Sequence, residues 1–315
     1  MRKVLVLAVS ALLVFLAGSA WLALYPGVPP DLGGVPNLDP KAERVRIPVG
    51  DDDHLDGRLL AGPRPGIVIL FHGYARDHRR MWRYAAFLHR DGWNVLLIDF
   101  RSSRAEQRKP TTLGYWELAD ARATIDWVAR QPRFHGDRVG LFAESLGGSV
   151  ALTVAAERPG IAALAVDAPF ANGELAIEDG CRYVEHVPVW PFAPIARALG
   201  TIVTGHDPAA LDAVAALRRL GDRPVLLIQC GVEDRFGLRE VHMLESAAGP
   251  LTESWIVNDA GHNRAWLLHR AEYERRVRAY FISHLAPLAP VPAPPPSPVA
   301  SLARTALGAR ARTVR

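Results

Sequence analysis

Residues 139–148 read Val-Gly-Leu-Phe-Ala-Glu-Ser-Leu-Gly-Gly, the most informative segment of the sequence. Its first half is apolar enough for a buried strand, and the small residues of 146–157 favour a helix directly after it. Ser145 lies between the two, with Ala143 two residues before it and Gly147 two residues after it. So sharp a turn accepts only small side chains at those two positions. The pattern therefore predicts a nucleophile elbow, which exposes its serine at the top of a sheet.

The alternative is that Ser145 merely caps the helix, because serine is a common N-cap residue. We favour the nucleophile. The first amides of a helix attract the negative charge that develops when a serine attacks a carbonyl group.

A nucleophilic serine needs a base, and the base needs an acid that orients it. His262 follows the last predicted strand, so it lies at the carboxyl edge of the sheet, where it can reach Ser145. Asp234 follows the strand predicted at residues 225–230 and ends at the same edge, so we predict it as the acid. Glu233 is the neighbouring rival, and Asp259 is a weaker one because it is close to His262 along the chain.

The oxyanion hole requires two N–H donors. We predict the backbone N–H of Leu146, which follows the serine, and that of Tyr74, which follows the third predicted strand. Gly73 permits the turn that aims the Tyr74 amide inward, and we expect His72 to be structural rather than a base.

Outside this centre, predicted strands alternate with predicted helices, which is typical of an α/β fold with a mostly parallel sheet flanked by helices. The strands are predicted at 45–49, 55–60, 67–71, 95–98, 138–142, 161–166, 225–230 and 254–257, and the helices at 79–90, 115–130, 146–157 and 265–284. This domain covers residues 42–285. Residues from about 169 to 223 interrupt the alternation and predict an inserted cap over the carboxyl edge.

The cap contains aromatic residues that could line an acyl pocket, among them Tyr183, Trp190 and Phe192. Covering the sheet is an equally good interpretation of them, so the substrate-binding residues stay undetermined. The cap also contains acidic residues that could bind a substrate amine: Glu174, Glu178 and Asp179.

The N-terminus resembles a membrane segment, since residues 4–25 carry no charge and follow Arg2 and Lys3. We expect residues 1–25 to anchor the protein, with the catalytic domain on the periplasmic side of a bacterial inner membrane. A signal peptide cleaved near Ser19, giving a secreted protein, is the alternative. Residues 26–41 read as a Pro/Gly-rich linker and 286–315 as a disordered Pro/Ala/Arg-rich tail.

Composition excludes several classes. The net charge of +4 arises at the two termini, and the near-neutral remainder is unsuited to binding nucleic acid. Two cysteines, Cys181 and Cys230, rule out a disulfide scaffold, and we expect them to be unpaired. The histidines lack metal-ligand spacing, so we expect no metal and no cofactor.

With these motifs in place, residues 44–284 resemble the alpha/beta-hydrolase superfamily. The resemblance rests on His72-Gly73-Tyr74, Asp99-Phe100-Arg101, Ala-Glu-Ser145-Leu-Gly, Gly-Val-Glu-Asp234 and Ala-Gly-His262. Glu117, Asp120 and the segment from Asp167 to Phe170 are similar to the dienelactone-hydrolase-like and serine-aminopeptidase-like branches. Ala143 replaces the usual first glycine, and Ser102-Ser103-Arg104 replaces a common Gly-His-Gly.

The resemblance implies a serine hydrolase, a carboxylesterase that transfers an acyl group to water through an acyl-enzyme. The expected partner is a small-molecule ester or other acyl substrate. A peptidase acting on amides is the first alternative. A catalytically inactive scaffold tethered to the membrane is the second. The oligomeric state stays open.

Overall fold

The computed structural model describes residues 2–29, 37–50, 53–103, 109–134 and 138–285. The strands are β1 (Glu43–Pro48), β2 (His54–Leu60), β3 (Ile67–Phe71), β4 (Asn94–Ile98), β5 (Val139–Glu144), β6 (Ile161–Asp167), β7 (Val225–Cys230) and β8 (Thr252–Val257). The helices are α1 (Arg2–Leu24), α2 (His78–Arg90), α3 (Tyr115–Arg130), α4 (Leu146–Glu157), α5 (Gly173–Asp179), α6 (Val189–Thr204), α7 (Ala213–Leu220), α8 (Leu238–Ala247), α9 (Ala265–Leu268) and α10 (Arg270–Leu285).

One sheet contains all of these strands, in the order β1-β2-β4-β3-β5-β6-β7-β8. The pairs β1–β2 and β2–β4 are antiparallel, and every pair from β4 to β8 is parallel. This confirms the predicted α/β class with a mostly parallel sheet. Because β3, β5, β6, β7 and β8 run in the same direction, the loops after them meet at one edge, and the candidate site lies there.

Helices cover both faces of the sheet. On one face, α2 and α10 bury large aromatic side chains such as Trp82, Phe87 and Phe281 against the strands. On the other face, α4 buries almost its whole length, since its small side chains let it lie close to the sheet. Strands β3 and β4 are completely buried, which explains their uninterrupted apolar sequence.

The cap is smaller than the predicted 169–223. Helices α5 and α6 and the π-helical turn between them, Gly180–Val184, lie over the carboxyl edge. Helix α7 belongs instead to the sheet layer, where Ala216, Leu217 and Leu220 are buried in the same core as α4. The prediction placed α7 in the cap because no strand separates it from α5 and α6 in the sequence, so the whole segment between β6 and β7 was assigned to one insertion.

Helix α1 packs against the cap helix α6. The ring of Phe15 meets that of Phe192 edge to face, with centroids 6.5 Å apart, and Leu16 and Leu24 are buried. The C-terminal end of α1 is tied down as well, because the Thr111 amide donates to the Leu24 carbonyl oxygen at 2.8 Å.

The predicted location needs correction. By length and hydropathy, none of the helices in the described ranges qualifies to cross a membrane. The expectation of a membrane-anchored protein with an extracytoplasmic catalytic domain, with secretion as its alternative, is wrong on this finding.

Two other predictions concern the chain ends and the cysteines. The predicted tail, 286–315, and residues 30–36 of the predicted linker lie outside the described residues. Cys181 and Cys230 are both buried and unpaired.

Candidate active site

Ser145 occupies a strained turn between β5 and α4. Its backbone adopts φ 54° and ψ −124°, a conformation that costs free energy for any residue with a side chain. A Cβ atom on Gly147 would lie 2.5 Å from the carbonyl oxygen of His72 and 2.6 Å from that of Phe71. Only glycine allows α4 to start so close to the end of β3. The requirement for a small residue two positions after the serine therefore has a direct steric cause.

His262 lies beside this serine, as predicted from its place after the last strand. Its Nε2 atom is 3.0 Å from Ser145 Oγ. The ring of Phe236 packs edge-on against the imidazole at 5.0 Å between centroids, and only 7% of the histidine side chain is exposed. The imidazole is thus held in contact with the serine hydroxyl and largely shielded from water.

The structure differs from the prediction at the acid. Glu233 Oε2 lies 3.1 Å from Nδ1 of His262, and the Glu233 side chain is only 3% exposed. Asp234 is exposed and accepts a hydrogen bond from the backbone amide of His262 at 3.2 Å, so it contacts the loop rather than the ring.

The cause is the course of the backbone after β7. Gly231 passes so close to Asn258 that a Cβ atom there would lie 2.6 Å from the Asn258 Cα. The turn that follows directs Glu233 toward the imidazole and Asp234 toward the histidine backbone. The sequence pattern indicated the loop that contacts His262, but which of its two adjacent carboxylates faces the imidazole depends on these backbone angles.

The two residues predicted to supply the oxyanion hole, Tyr74 and Leu146, line the same cavity as Ser145. A Cβ atom on Gly73 would lie 3.1 Å from the Ser145 Cβ, so the loop after β3 passes directly beside the nucleophile. The Tyr74 hydroxyl donates to the carbonyl oxygen of Ala23 at 2.7 Å, and burial raises its pKa to about 12.

His72 braces this loop through both of its ring nitrogens. Its Nδ1 atom lies 2.8 Å from the Gly73 carbonyl oxygen, while Nε2 accepts from the Phe100 amide at 3.1 Å. Complete burial lowers the pKa of the imidazole, which favours the neutral ring.

Sequence reasoning missed a buried polar cluster directly below the serine. Glu144 and Asp167 end the neighbouring strands β5 and β6 in register. Arg83 of α2 donates to Glu144 at 2.8 Å, and Tyr273 of α10 donates to Asp167 at 2.7 Å. The Tyr84 hydroxyl lies between the two carboxyl groups, 3.1 Å from Glu144 and 3.4 Å from Asp167.

The pKa values of the two carboxyl groups are shifted in opposite directions. Burial raises the pKa of Asp167 to about 6, and the nearby Glu144 charge adds to this. Burial alone would raise the pKa of Glu144 too, but the attraction of Arg80 and Arg83 outweighs it and lowers that pKa to about 2. The backbone beside the cluster ties the elbow to β6, since the Ser145 amide donates to the backbone carbonyl oxygen of Asp167 at 2.9 Å. The sequence contained one indication of this cluster, because Arg83 lies among the apolar residues that α2 buries and therefore requires a buried anionic partner.

Above Ser145 a cavity of about 650 Å³ opens under the cap. Its lining includes Phe192, as the sequence suggested, together with Phe15 and Leu16 of α1, which the sequence did not suggest. Trp190 is 77% exposed and Tyr183 is 38% exposed, so these two lie on the surface of the cap. Within the described ranges, no three His, Cys, Asp or Glu side chains come together as a metal site would require.

Comparison with known proteins agrees with this architecture. Residues 62–216 match a family model described as "Serine aminopeptidase, S33". A Mycobacterium tuberculosis protein, "Uncharacterized protein Rv2307c", is 30% identical over 246 residues, which cover 76% of this chain and 80% of that protein. The chain belongs to the alpha/beta-hydrolase superfamily.

Two solved structures show the same fold at lower identity. The Pyrococcus furiosus esterase Pf2001 superimposes with a TM-score of 0.67 at 22% identity, covering 82% of this chain and 98% of the esterase. A dienelactone hydrolase from Anabaena variabilis superimposes with a TM-score of 0.53, also at 22% identity, covering 78% of this chain and 99% of that one. At this identity the likeness establishes the fold alone.

Proposed function

We propose that this hydrolase is a serine carboxylesterase in which Ser145 is the nucleophile, His262 the base and Glu233 the acid. The observation that carries the proposal is the continuous chain of contacts from Ser145 Oγ through both ring nitrogens of His262 to the Glu233 carboxylate, at 3.0 and 3.1 Å. An aspartate or glutamate serves equally as the third member of such a triad.

In the proposed reaction, the Nδ1–H of His262 donates to Glu233, which leaves Nε2 free to accept the Ser145 proton. The serine oxygen attacks the ester carbonyl carbon, and the amides of Tyr74 and Leu146 donate to the oxyanion that forms. His262 returns its proton to the departing alcohol, leaving an acyl-enzyme. Water then attacks the acyl carbon, with His262 as the base again, and releases the acid.

The composition of the cavity favours an ester over a peptide. An aminopeptidase needs a carboxylate that pairs with the free amino group of its substrate. The acids suggested for that role do not line the cavity: Asp179 is engaged by the Gly237 amide at 2.7 Å and by Arg182 at 2.6 Å, and Glu174 is exposed. Glu185 does line the cavity, and together with the description of the matching family model it keeps amide hydrolysis as the second candidate.

The test treats the full-length protein with a fluorophosphonate, which reacts with activated serines, and locates the adduct by intact mass and peptide mapping. We expect one adduct, on Ser145, absent from Ser145→Ala. Ser149→Ala is the matched control, because this buried serine on the next turn of α4 bonds to the Phe170 carbonyl oxygen instead of facing His262. Failure of the folded protein to react, or equal labelling of Ser145→Ala, would contradict the proposal.

The second stage separates the two candidates. Nitrophenyl esters and aminoacyl nitroanilides are compared on the same protein, with Ser145→Ala as the blank. A higher kcat/KM for the esters supports the carboxylesterase, and a higher kcat/KM for the amides would replace it with the peptidase.

A further inference from the structure

The cavity above Ser145 is asymmetric. On the sheet side it is bounded by the serine, His262 and the loop containing Tyr74. On the opposite side it is bounded by apolar side chains of two helices: Phe15 and Leu16 of α1 and Phe192 of α6. A substrate that fills this space therefore meets polar catalytic groups at one end and hydrocarbon at the other.

The volume and the connection to the nucleophile constrain the occupant. About 650 Å³ is far more than a short acyl group such as acetyl needs, and it is within the range of pockets that enclose drug-sized ligands. Because the cavity is continuous with Ser145, the part of the ester that enters it is covalently connected to the scissile carbonyl. Charged side chains also line it: Arg76 and Arg235 in loops near the catalytic groups, Arg80 on α2 and Glu185 in the cap before α6. None of them belongs to α1 or α6, and Ser19 of α1 adds a single hydroxyl group.

We propose that the substrate is the ester of a long-chain carboxylic acid, and that α1 forms one wall of the pocket that holds its acyl chain. This inference rests on the proposed esterase function and adds the substrate class. It also assigns a role to residues 2–24: the helix completes the binding site of the catalytic domain.

The attachment of α1 supports this role. At its C-terminal end, the carbonyl oxygens of Ala23 and Leu24 accept hydrogen bonds from the Tyr74 hydroxyl at 2.7 Å and the Thr111 amide at 2.8 Å. Nearer its middle, the ring of Phe15 packs edge to face against Phe192. The helix is thus held near its middle and at its C-terminal end. One of the contacts at that end comes from Tyr74, the residue proposed to supply an oxyanion donor.

The experiment measures kcat/KM of the full-length protein for nitrophenyl esters from two to sixteen carbons, below their micelle concentrations. Each methylene group that moves from water into an apolar pocket is worth about 0.8 kcal/mol, which corresponds to about a fourfold gain. We expect kcat/KM to rise with chain length until the cavity is full and then to level off or fall.

Leu16→Trp tests the wall itself, because the larger ring projects into the space assigned to the acyl chain. We expect the ratio of kcat/KM for the ten-carbon ester to that for the four-carbon ester to fall at least tenfold. Val14→Trp is the matched control, since Val14 is on the same helix but 73% exposed and does not line the cavity. It should keep the wild-type ratio.

A second variant covers the case in which Leu16→Trp fails to fold. Phe15→Ala removes wall surface without adding bulk, and we expect the same ratio to fall three- to tenfold. The proposal is overturned if the wild type prefers the shortest esters, or if a folded cavity variant keeps the wild-type ratio. In either case labelling of Ser145 together with hydrolysis of the short esters shows that the esterase function still stands. Absence of both labelling and ester hydrolysis would instead mean that the proposed function has failed.

Discussion

The floor and the roof of the cavity are built in different ways. The floor consists of Ser145, His262 and Glu233 on loops at the ends of parallel strands, with the ion-paired Glu144 and Arg83 beneath them. The roof consists of α1 and α6, which meet through apolar side chains and leave others exposed. Because the floor is fixed by strand register and buried charge, changes there should abolish catalysis or stability. Changes in the roof should alter only which substrate is accepted.

The largest expected effect comes from the acid on the floor. Glu233→Gln keeps the size of the side chain but cannot stabilise the imidazolium or enforce the correct tautomer, so we expect kcat to fall about 10⁴-fold, as for the aspartate-to-asparagine change in a serine protease triad. Asp234→Asn is the matched control and should stay within tenfold of wild type. Steady-state kinetics on one ester decides this, and the reverse order of the two effects would return the acid role to Asp234.

The second prediction concerns the charge buried beneath the serine. Arg83→Met leaves Glu144 without its closest cation in a buried setting, where removing one partner costs about 3–5 kcal/mol. Arg90→Met on the same helix is exposed and should change the free energy of unfolding by less than about 0.5 kcal/mol. Urea denaturation followed by circular dichroism measures both. Equal stability of the two variants would show that the buried pair does not hold the floor.

The third prediction follows from the raised pKa of Asp167, about 6 against 3.8 in the unfolded chain. The folded state keeps its proton where the unfolded state has lost it, so this group makes stability fall as the pH rises from about 4 to 6. Asp167→Asn cannot lose a proton. Its stability relative to wild type should therefore increase over this window, by roughly 3 kcal/mol at most.

Urea titrations at pH 4, 5, 6 and 7 give the comparison. Tyr273→Phe serves as the internal control. The Tyr273 hydroxyl donates to the Asp167 carboxylate and thereby lowers the pKa of Asp167, so its removal should raise that pKa further. The fall in stability between pH 4 and 6 should become steeper in that variant. A constant difference between Asp167→Asn and wild type at all four pH values would contradict the assignment.

The same contrast explains what could be predicted from the sequence. The elbow was predictable because its strand, its turn and its helix are contiguous, and Gly147 is required by contacts with the adjacent β3. Glu233 was named only as the rival of Asp234, since the direction of a side chain in an irregular turn depends on backbone angles that the sequence does not give. The position of α1 was missed because the absence of charge from residue 4 to residue 25 was interpreted as a membrane segment, whereas the helix packs against α6. Only the tertiary structure decides which apolar surface it meets.

A smaller effect is expected from substituting Gly147 and Gly148. Comparing the two positions distinguishes crowding against backbone atoms from crowding against a side chain. Alanine at Gly147 would place its Cβ against the carbonyl oxygens of β3, which cannot move aside. We expect a loss of about 1–3 kcal/mol and weaker fluorophosphonate labelling. Alanine at Gly148 meets the Pro169 Cβ at 3.1 Å and gains about 1 kcal/mol of helix propensity, so the two effects should nearly cancel. Equal losses for both variants would contradict the assignment, because they would show that crowding against the Phe71 and His72 carbonyl oxygens costs no more than crowding against the Pro169 side chain.

The smallest expected effect concerns the hydrogen bond that connects the floor to the roof, from the Tyr74 hydroxyl to the Ala23 carbonyl oxygen. Tyr74→Phe keeps the backbone amide near Ser145 but removes the hydroxyl that donates to Ala23, a bond worth about 1 kcal/mol. If this bond seats α1, the preference for long acyl chains should fall about fivefold, mainly through a higher KM for the long ester. Tyr25→Phe is the control, since the Tyr25 ring stacks on Trp21 but its hydroxyl makes no hydrogen bond within the described part of the chain. A loss of kcat that is the same for short and long esters would mean that Tyr74 acts on the oxyanion loop alone, and that the roof is held independently of the floor.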